Sequence, residues 1–183
     1  MKRILSLVVV SLLTFAASAG AQDAEVIGWY DLVPPDWNPN SVFDEYSDDD
    51  LASMSDDLYF ELQRKAEAIL DAAPTVPELD GRNVKVPGFL LPLEFDETKI
   101  KEFLLVPYFG ACVHTPPPPA NQIIHGVLDT QFTMSSLWEP VWISGKISTT
   151  RSQQTLGEAG VQLTLDIETG YTMEVDLVEP YQE

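Results

Sequence analysis

The sequence predicts a mainly β fold: a small antiparallel, OB-like (oligonucleotide/oligosaccharide-binding-type) barrel of about six strands, preceded by one α-helix and an extended N-terminal arm. Two observations predict it. Apolar and polar residues alternate with a period of two through most of the C-terminal half, between turn-forming residues. Helical spacing, by contrast, is sustained in a single stretch, residues 56–73.

The chain opens with Lys2 and Arg3, then an apolar run over residues 4–17 that ends at Ser18, Ala19, Gly20 and Ala21. A basic start, an apolar centre and small residues at an A-x-A site before Gln22 make residues 1–21 a cleavable secretory signal. The run is shorter than the roughly 20 apolar residues needed to cross a bilayer. No cysteine lies near the junction to carry a lipid, so the expected product is an exported, soluble protein with no membrane span after cleavage. The whole chain carries 10 basic and 29 acidic residues, and losing Lys2 and Arg3 leaves 8 against 29, a net charge of −21. Such a surface repels phosphate backbones, which excludes nucleic acid as a partner.

Residues 22–57 read as an extended arm and an acidic linker. Pro34, Pro35 and Pro39 exclude a helix, and Trp29, Tyr30, Val33 and Trp37 are the side chains expected to tie the arm to the domain. The tryptophans are also candidate contacts for a partner. Asp44, Glu45, Asp48, Asp49, Asp50, Asp56 and Asp57 follow without an intervening Lys or Arg. A calcium loop needs a glycine at its sharp turn, and this stretch has none, so a solvated linker is expected.

The β-rich domain with its N-terminal helix is placed at residues 58–183. Leu58, Leu62, Ala66, Ile69 and Leu70 recur at helical spacing, Ser55, Asp56 and Asp57 suit the helix start, and Pro74 stops it. Strands are then predicted over 84–93, 102–107, 122–128, 141–148, 161–168 and 171–177. Pro87 and Pro92 make the first of these an edge or bulged strand. Thr169-Gly170 predicts that the last two form a hairpin.

The candidate site is the connection between the second and third strands, where Cys112 and His114 precede Pro116, Pro117, Pro118 and Pro119, then Asn121 and Gln122. In an extended segment Cys112 and His114 point the same way, their Cα atoms roughly 7 Å apart. The prolines stiffen the exit, and Asn121 can bond a loop backbone short of N–H groups. Three readings stand. Cys112 and His114 are ligands of zinc or copper, with His125, the only other histidine, or a carboxylate completing the set. Alternatively, Cys112 is a nucleophile with His114 as its base, although neither an orienting carboxylate nor an oxyanion donor can be named. In the third, Cys112 is a small buried hydrophobe and the prolines are architecture. As the only cysteine it has no intrachain disulfide partner, so in an oxidising compartment it must be shielded, ligated or used.

The runs V-P-G-F-L-L-P-L-E-F from Val86, E-F-L-L-V-P-Y-F-G-A-C-V-H-T-P-P-P-P-A-N-Q from Glu102 and V-W-I-S-G-K-I from Val141 resemble the domain-of-unknown-function family DUF3299. The resemblance covers about half of the mature chain. It implies a small exported proteobacterial protein; some members are lipidated and some are encoded beside zinc-responsive metal-uptake transporters. It therefore implies a role near metal handling, carried by Cys112 and His114. The lipid-bearing cysteine of some members has no counterpart, so tethering does not carry over. The expectation is a non-enzymatic periplasmic accessory protein that handles zinc or copper and serves an envelope metal transporter. The alternative is a binding or assembly module for an envelope protein, with Trp29, Trp37, the four prolines and Asn121 as its contact surface.

Overall fold

A computed structural model describes residues 24–93, 99–112, 117–133, 139–157 and 164–181. The signal expected at residues 1–21 falls outside the described residues, as do His114 and Pro116. The chain begins with β1 (Glu25–Val26) and two 3-10 turns, Trp29–Leu32 and Pro39–Phe43. The short helix α1 (Asp48–Ser53) and the long helix α2 (Asp56–Ala72) follow. The strands are β2 (Asn83–Pro92), β3 (Lys99–Val106), β4 (Ile124–Thr133), β5 (Val141–Ser148), β6 (Ser152–Gly157), β7 (Thr164–Thr169) and β8 (Tyr171–Pro180).

Five strands close into a barrel in the order β2-β3-β4-β8-β5, with β5 returning to β2. The predicted OB-like barrel is therefore present, although one pairing departs from antiparallel. β4 and β8 run parallel, because five strands closed into a ring cannot alternate direction at every pairing. Alternation along the strands fills the interior with Val84, Val86, Leu90, Phe103, Leu105, Ile143, Ile147, Tyr171 and Met173. Phe103 lies opposite Gly126, and a Cβ there would come within 2.4 Å of the ring. Glycine at 126 is thus what lets the large side chain occupy the barrel axis.

Three expectations are corrected. The predicted hairpin between the last two strands does not form: β7 pairs with β6 outside the barrel, and β8 goes between β4 and β5. Both edges of β8 are taken by the barrel, so β7 needs another partner and finds it in the polar strand S-Q-Q-T-L-G. Gly170 directs the chain across layers, with its N–H donating to the Ala120 carbonyl at 2.6 Å. The second correction concerns β2, which is an inner barrel strand despite its prolines. Pro87 sits where β2 leaves its parallel partner β1 and begins pairing with β3, and its carbonyl accepts the Trp29 indole N–H at 2.8 Å. The missing backbone donor falls at that gap in the ladder. Thirdly, the alternation of β8 fails after Val175. A bulge opposite Ser144 and Gly145 leaves Asp176 without a paired residue, so Leu177 is 49% exposed and Val178 packs on the core instead.

Helix α2 forms where its spacing predicts. The Ser55 hydroxyl accepts the Leu58 N–H at its start, and the helix ends at Ala72, before Pro74. The acidic linker is partly ordered into α1, where Ser47 and Asp50 cap each other reciprocally. The arm is folded into turns rather than fully extended, and Leu32 is its buried anchor. Trp29 packs on the barrel core and Trp37 donates its indole N–H to the Ile69 carbonyl at 3.0 Å. Tyr30, expected to help tie the arm, is 91% exposed. The Tyr171 hydroxyl joins the three parts. It donates to the Leu32 carbonyl at 2.8 Å and accepts the Val76 N–H at 2.7 Å, linking arm, helix exit and barrel.

Candidate functional site

The connection after β3 starts at the surface and turns inward. Tyr108 and Phe109 are close to half exposed, whereas Ala111 and Cys112 are buried. Gly110 has φ 82 and Cys112 has φ 64, so the chain turns sharply through left-handed backbone. Cys112 is therefore not in extended backbone. His114 itself lies outside the described residues.

Cys112 joins a second apolar cluster, on the outer surface of the barrel. Its other members are Leu104, Val106, Ala111, Ile123 and Ile167, with Phe89, Leu91, Leu93 and Leu156 packed around them. β3 is therefore buried on both faces: Phe103 and Leu105 point into the barrel, Leu104 and Val106 into the outer cluster. The β6–β7 hairpin covers that cluster with Leu156 and Ile167. Burial among hydrocarbon disfavours the thiolate and pushes the Cys112 thiol up to about 11. At neutral pH this favours the protonated thiol over the thiolate, the form that acts as a nucleophile.

His125 lies on β4 directly opposite Leu104, at the border of the same cluster. The Gln154 side-chain amide lies within hydrogen-bond distance of its Nδ1, at 3.3 Å. Nε2 is buried and faces the Glu102 carboxylate at 3.6 Å, beyond hydrogen-bond reach. Burial lowers the His125 pKa, while the Glu102 charge works in the opposite direction. Glu102 and Gln154 were not anticipated as its neighbours, since only the β3–β4 register and the β6–β7 hairpin bring them there. Among the described residues no three His, Cys, Asp or Glu side chains gather as a metal site.

The far end of the loop is structural. Pro117 is exposed, Pro118 is buried and Pro119 is half-buried. Asn121 is fully buried and donates its amide to the Pro74 carbonyl at 3.1 Å, tying the loop to the exit of α2. A side chain so enclosed is not offered to a partner. Trp29 and Trp37, the other predicted contacts, are half-buried and use their indole N–H groups within the fold. Beside Cys112, the connection itself exposes two aromatic rings, Tyr108 and Phe109. Phe109 rests edge-on against Phe89 at 5.9 Å between centroids. The sequence signal for this surface was the Tyr-Phe-Gly run itself, read only as the approach to Cys112.

Comparison with known proteins places this architecture. The family model described as protein of unknown function, DUF3299, matches residues 29–180. A crystal structure of a DUF3299 family protein from Pseudomonas aeruginosa PAO1 is similar with a TM-score of 0.59 and 28% identity, covering 87% of this chain and 97% of that chain. No curated protein matches the chain.

Proposed function

The chain belongs to the DUF3299 family, and on that premise we propose that it is an exported, non-enzymatic binding or assembly module of the cell envelope. The observation that carries this reading is the loop after β3, which holds Tyr108 and Phe109 at the surface on buried roots. Val106 and Ala111 are fully buried on either side, and the Phe89 ring supports Phe109 from beneath. Two adjacent aromatic rings on a braced turn present apolar area at little further entropic cost, a property of recognition surfaces. The basic start, apolar run and A-x-A site of residues 1–21 support export to the periplasm.

Transition-metal handling through Cys112 and His114 is the less favoured reading, because the Cys112 thiol sits in an apolar cluster. One experiment separates the two. A photo-crosslinking residue at position 108 in cells is expected to give a discrete adduct with an envelope protein, diminished by Phe109→Ala. In parallel, metal analysis of the purified mature protein is expected to show no stoichiometric zinc or copper. Stoichiometric metal lost on Cys112→Ser, with no adduct at 108, would reverse the order of the two readings.

A further inference from the structure

Helix α2 has an apolar stripe that the rest of the chain covers only in part. Leu58, Tyr59, Leu62, Ala66, Ile69 and Leu70 share one side at helical spacing, yet only Leu62 is buried. What lies against the helix is mainly the Pro39–Phe43 turn of the arm, with Phe43 meeting the Tyr59 ring at 6.2 Å. Leu58, Tyr59 and Leu70 remain 37%, 42% and 38% exposed, and Phe60, 60% exposed, meets Tyr59 edge-on and widens the patch. A contiguous apolar and aromatic patch on an otherwise highly charged protein marks an interaction surface.

Charge decides what kind of partner fits. Residues 24–63, which form the arm, α1 and the first half of α2, hold eleven acidic residues and no basic one. Among the described residues, none of Asp44, Glu45, Asp48, Asp49, Asp56 and Asp57 forms an ion pair with a lysine or arginine. These carboxylates sit around the N-terminal end of α2, next to the exposed rings. A second copy of the chain would bring the same charge against itself, and an anionic lipid surface would be repelled alike. A cationic partner gains attraction from the rim and buries its apolar side chains on the stripe.

We propose that the α2 stripe with its acidic rim is a docking surface for a basic amphipathic segment of another protein. This surface lies on different elements from the Tyr108–Phe109 turn, and the proposal does not depend on that turn having a partner. The test uses the full mature protein with a short amphipathic Leu/Lys peptide as probe, followed by calorimetry at low and physiological salt. The Leu/Lys peptide is expected to bind and the matching Leu/Glu peptide is not. Replacing Asp44, Glu45, Asp48 and Asp49 by their amides should weaken binding about tenfold and flatten its salt dependence. Tyr59→Ser with Leu70→Ser should weaken it as much while leaving the salt slope unchanged, with the melting temperature confirming that the variant is folded. Amide replacements at the distant Asp129, Glu174 and Asp176 should leave binding intact. Equal losses from that distant set, an unaffected Tyr59 variant, binding to anionic vesicles, or a dimer in sedimentation that Tyr59→Ser abolishes would each overturn the proposal.

Discussion

Replacing Tyr171 with phenylalanine removes one oxygen and leaves the ring, which isolates the work of a single hydroxyl. That hydroxyl is fully buried, donates to the Leu32 carbonyl and accepts the Val76 N–H. Without it, two backbone groups are left unpaired away from water, each at a cost of about 1–3 kcal/mol. Partial relaxation brings the expected loss to about 3 kcal/mol, which for a domain of this size lowers Tm by on the order of 6–12 °C. Urea denaturation followed by circular dichroism measures the first quantity and calorimetry the second. Hydrogen exchange adds a local readout, because the Val76 amide should lose most of its protection while barrel amides of β3 and β4 keep theirs. Tyr30→Phe, at an exposed ring, serves as the control and should change nothing. A loss below about 1 kcal/mol for Tyr171→Phe, or unaltered exchange at Val76, would refute the claim that this hydroxyl joins arm, helix exit and barrel.

The remaining expectations concern the two titratable groups of the outer cluster and the barrel axis. With its pKa raised from 9.0 to about 11, Cys112 should react with iodoacetamide at pH 8 about 100-fold more slowly in the folded protein than in urea, as the thiolate fractions require. The same shift favours the neutral thiol in the fold, so stability is fully present below pH 9.0 and about 2–3 kcal/mol of it is lost as pH rises to about 11. Cys112→Ala should lack that alkaline slope in pH-dependent denaturation. His125 has the opposite shift: burial lowers its pKa, so the neutral ring contributes stability above the ordinary value of 6.5 that is lost as pH falls through the lower folded value. His125→Gln should flatten the acid limb of the stability curve below pH 6.5, and an unchanged limb would contradict the buried, neutral assignment. Gly126→Ala forces a methyl into the Phe103 ring and should cost about 1–3 kcal/mol; combining it with Phe103→Leu should recover part of that loss in a double-mutant cycle.

Local signals in the sequence were reliable where a single element decided the outcome. Helix α2 was legible because its spacing, the Ser55 cap and the Pro74 stop all lie within one stretch. β5 was legible because Val141, Ile143 and Ile147 face the interior without interruption. The failures are non-local. β6 carries serine, glutamine and threonine where a strand pattern shows apolar residues, since its inward side chains meet polar partners: Gln154 meets His125, and Ser152 meets Thr169. Pro87 suggested an edge because the sequence does not reveal that its missing N–H falls in the gap between the β1 and β3 pairings. The bulge at Asp176 depends on the close approach of β5 and β8, where a Cβ in place of Gly145 would collide with the Glu174 carbonyl. The candidate site was legible in part. Burial of Cys112 was one of three readings open from the sequence, whereas its left-handed backbone and its apolar neighbours depend on the β3–β4 register and the hairpin.

The two described ends of the Cys-x-His-polyproline-Asn-Gln element, Cys112 and residues 117–122, offer a reason for their composition that needs no ligand. At its start Cys112 fills a gap in the outer cluster, where a larger side chain would crowd Leu104 and Ile123. At its end Asn121 holds the Pro74 carbonyl, and the neighbouring Ala120 carbonyl accepts the Gly170 N–H. Three distant parts of the chain, the helix exit, the outer cluster and the β7–β8 junction, are thus held by one loop. Proline suits such a clamp, because its fixed φ leaves less freedom to lose when the two ends are pinned. The arm, α2 and the loop are in turn set relative to the barrel through Tyr171, Trp29 and Asn121. Among the apolar side chains that the fold leaves outward are Tyr108 and Phe109 on the loop, and Tyr59 and Phe60 on the helix. The buried polar bonds fix where those rings stand, and that placement is the physical ground for the proposed role in recognition.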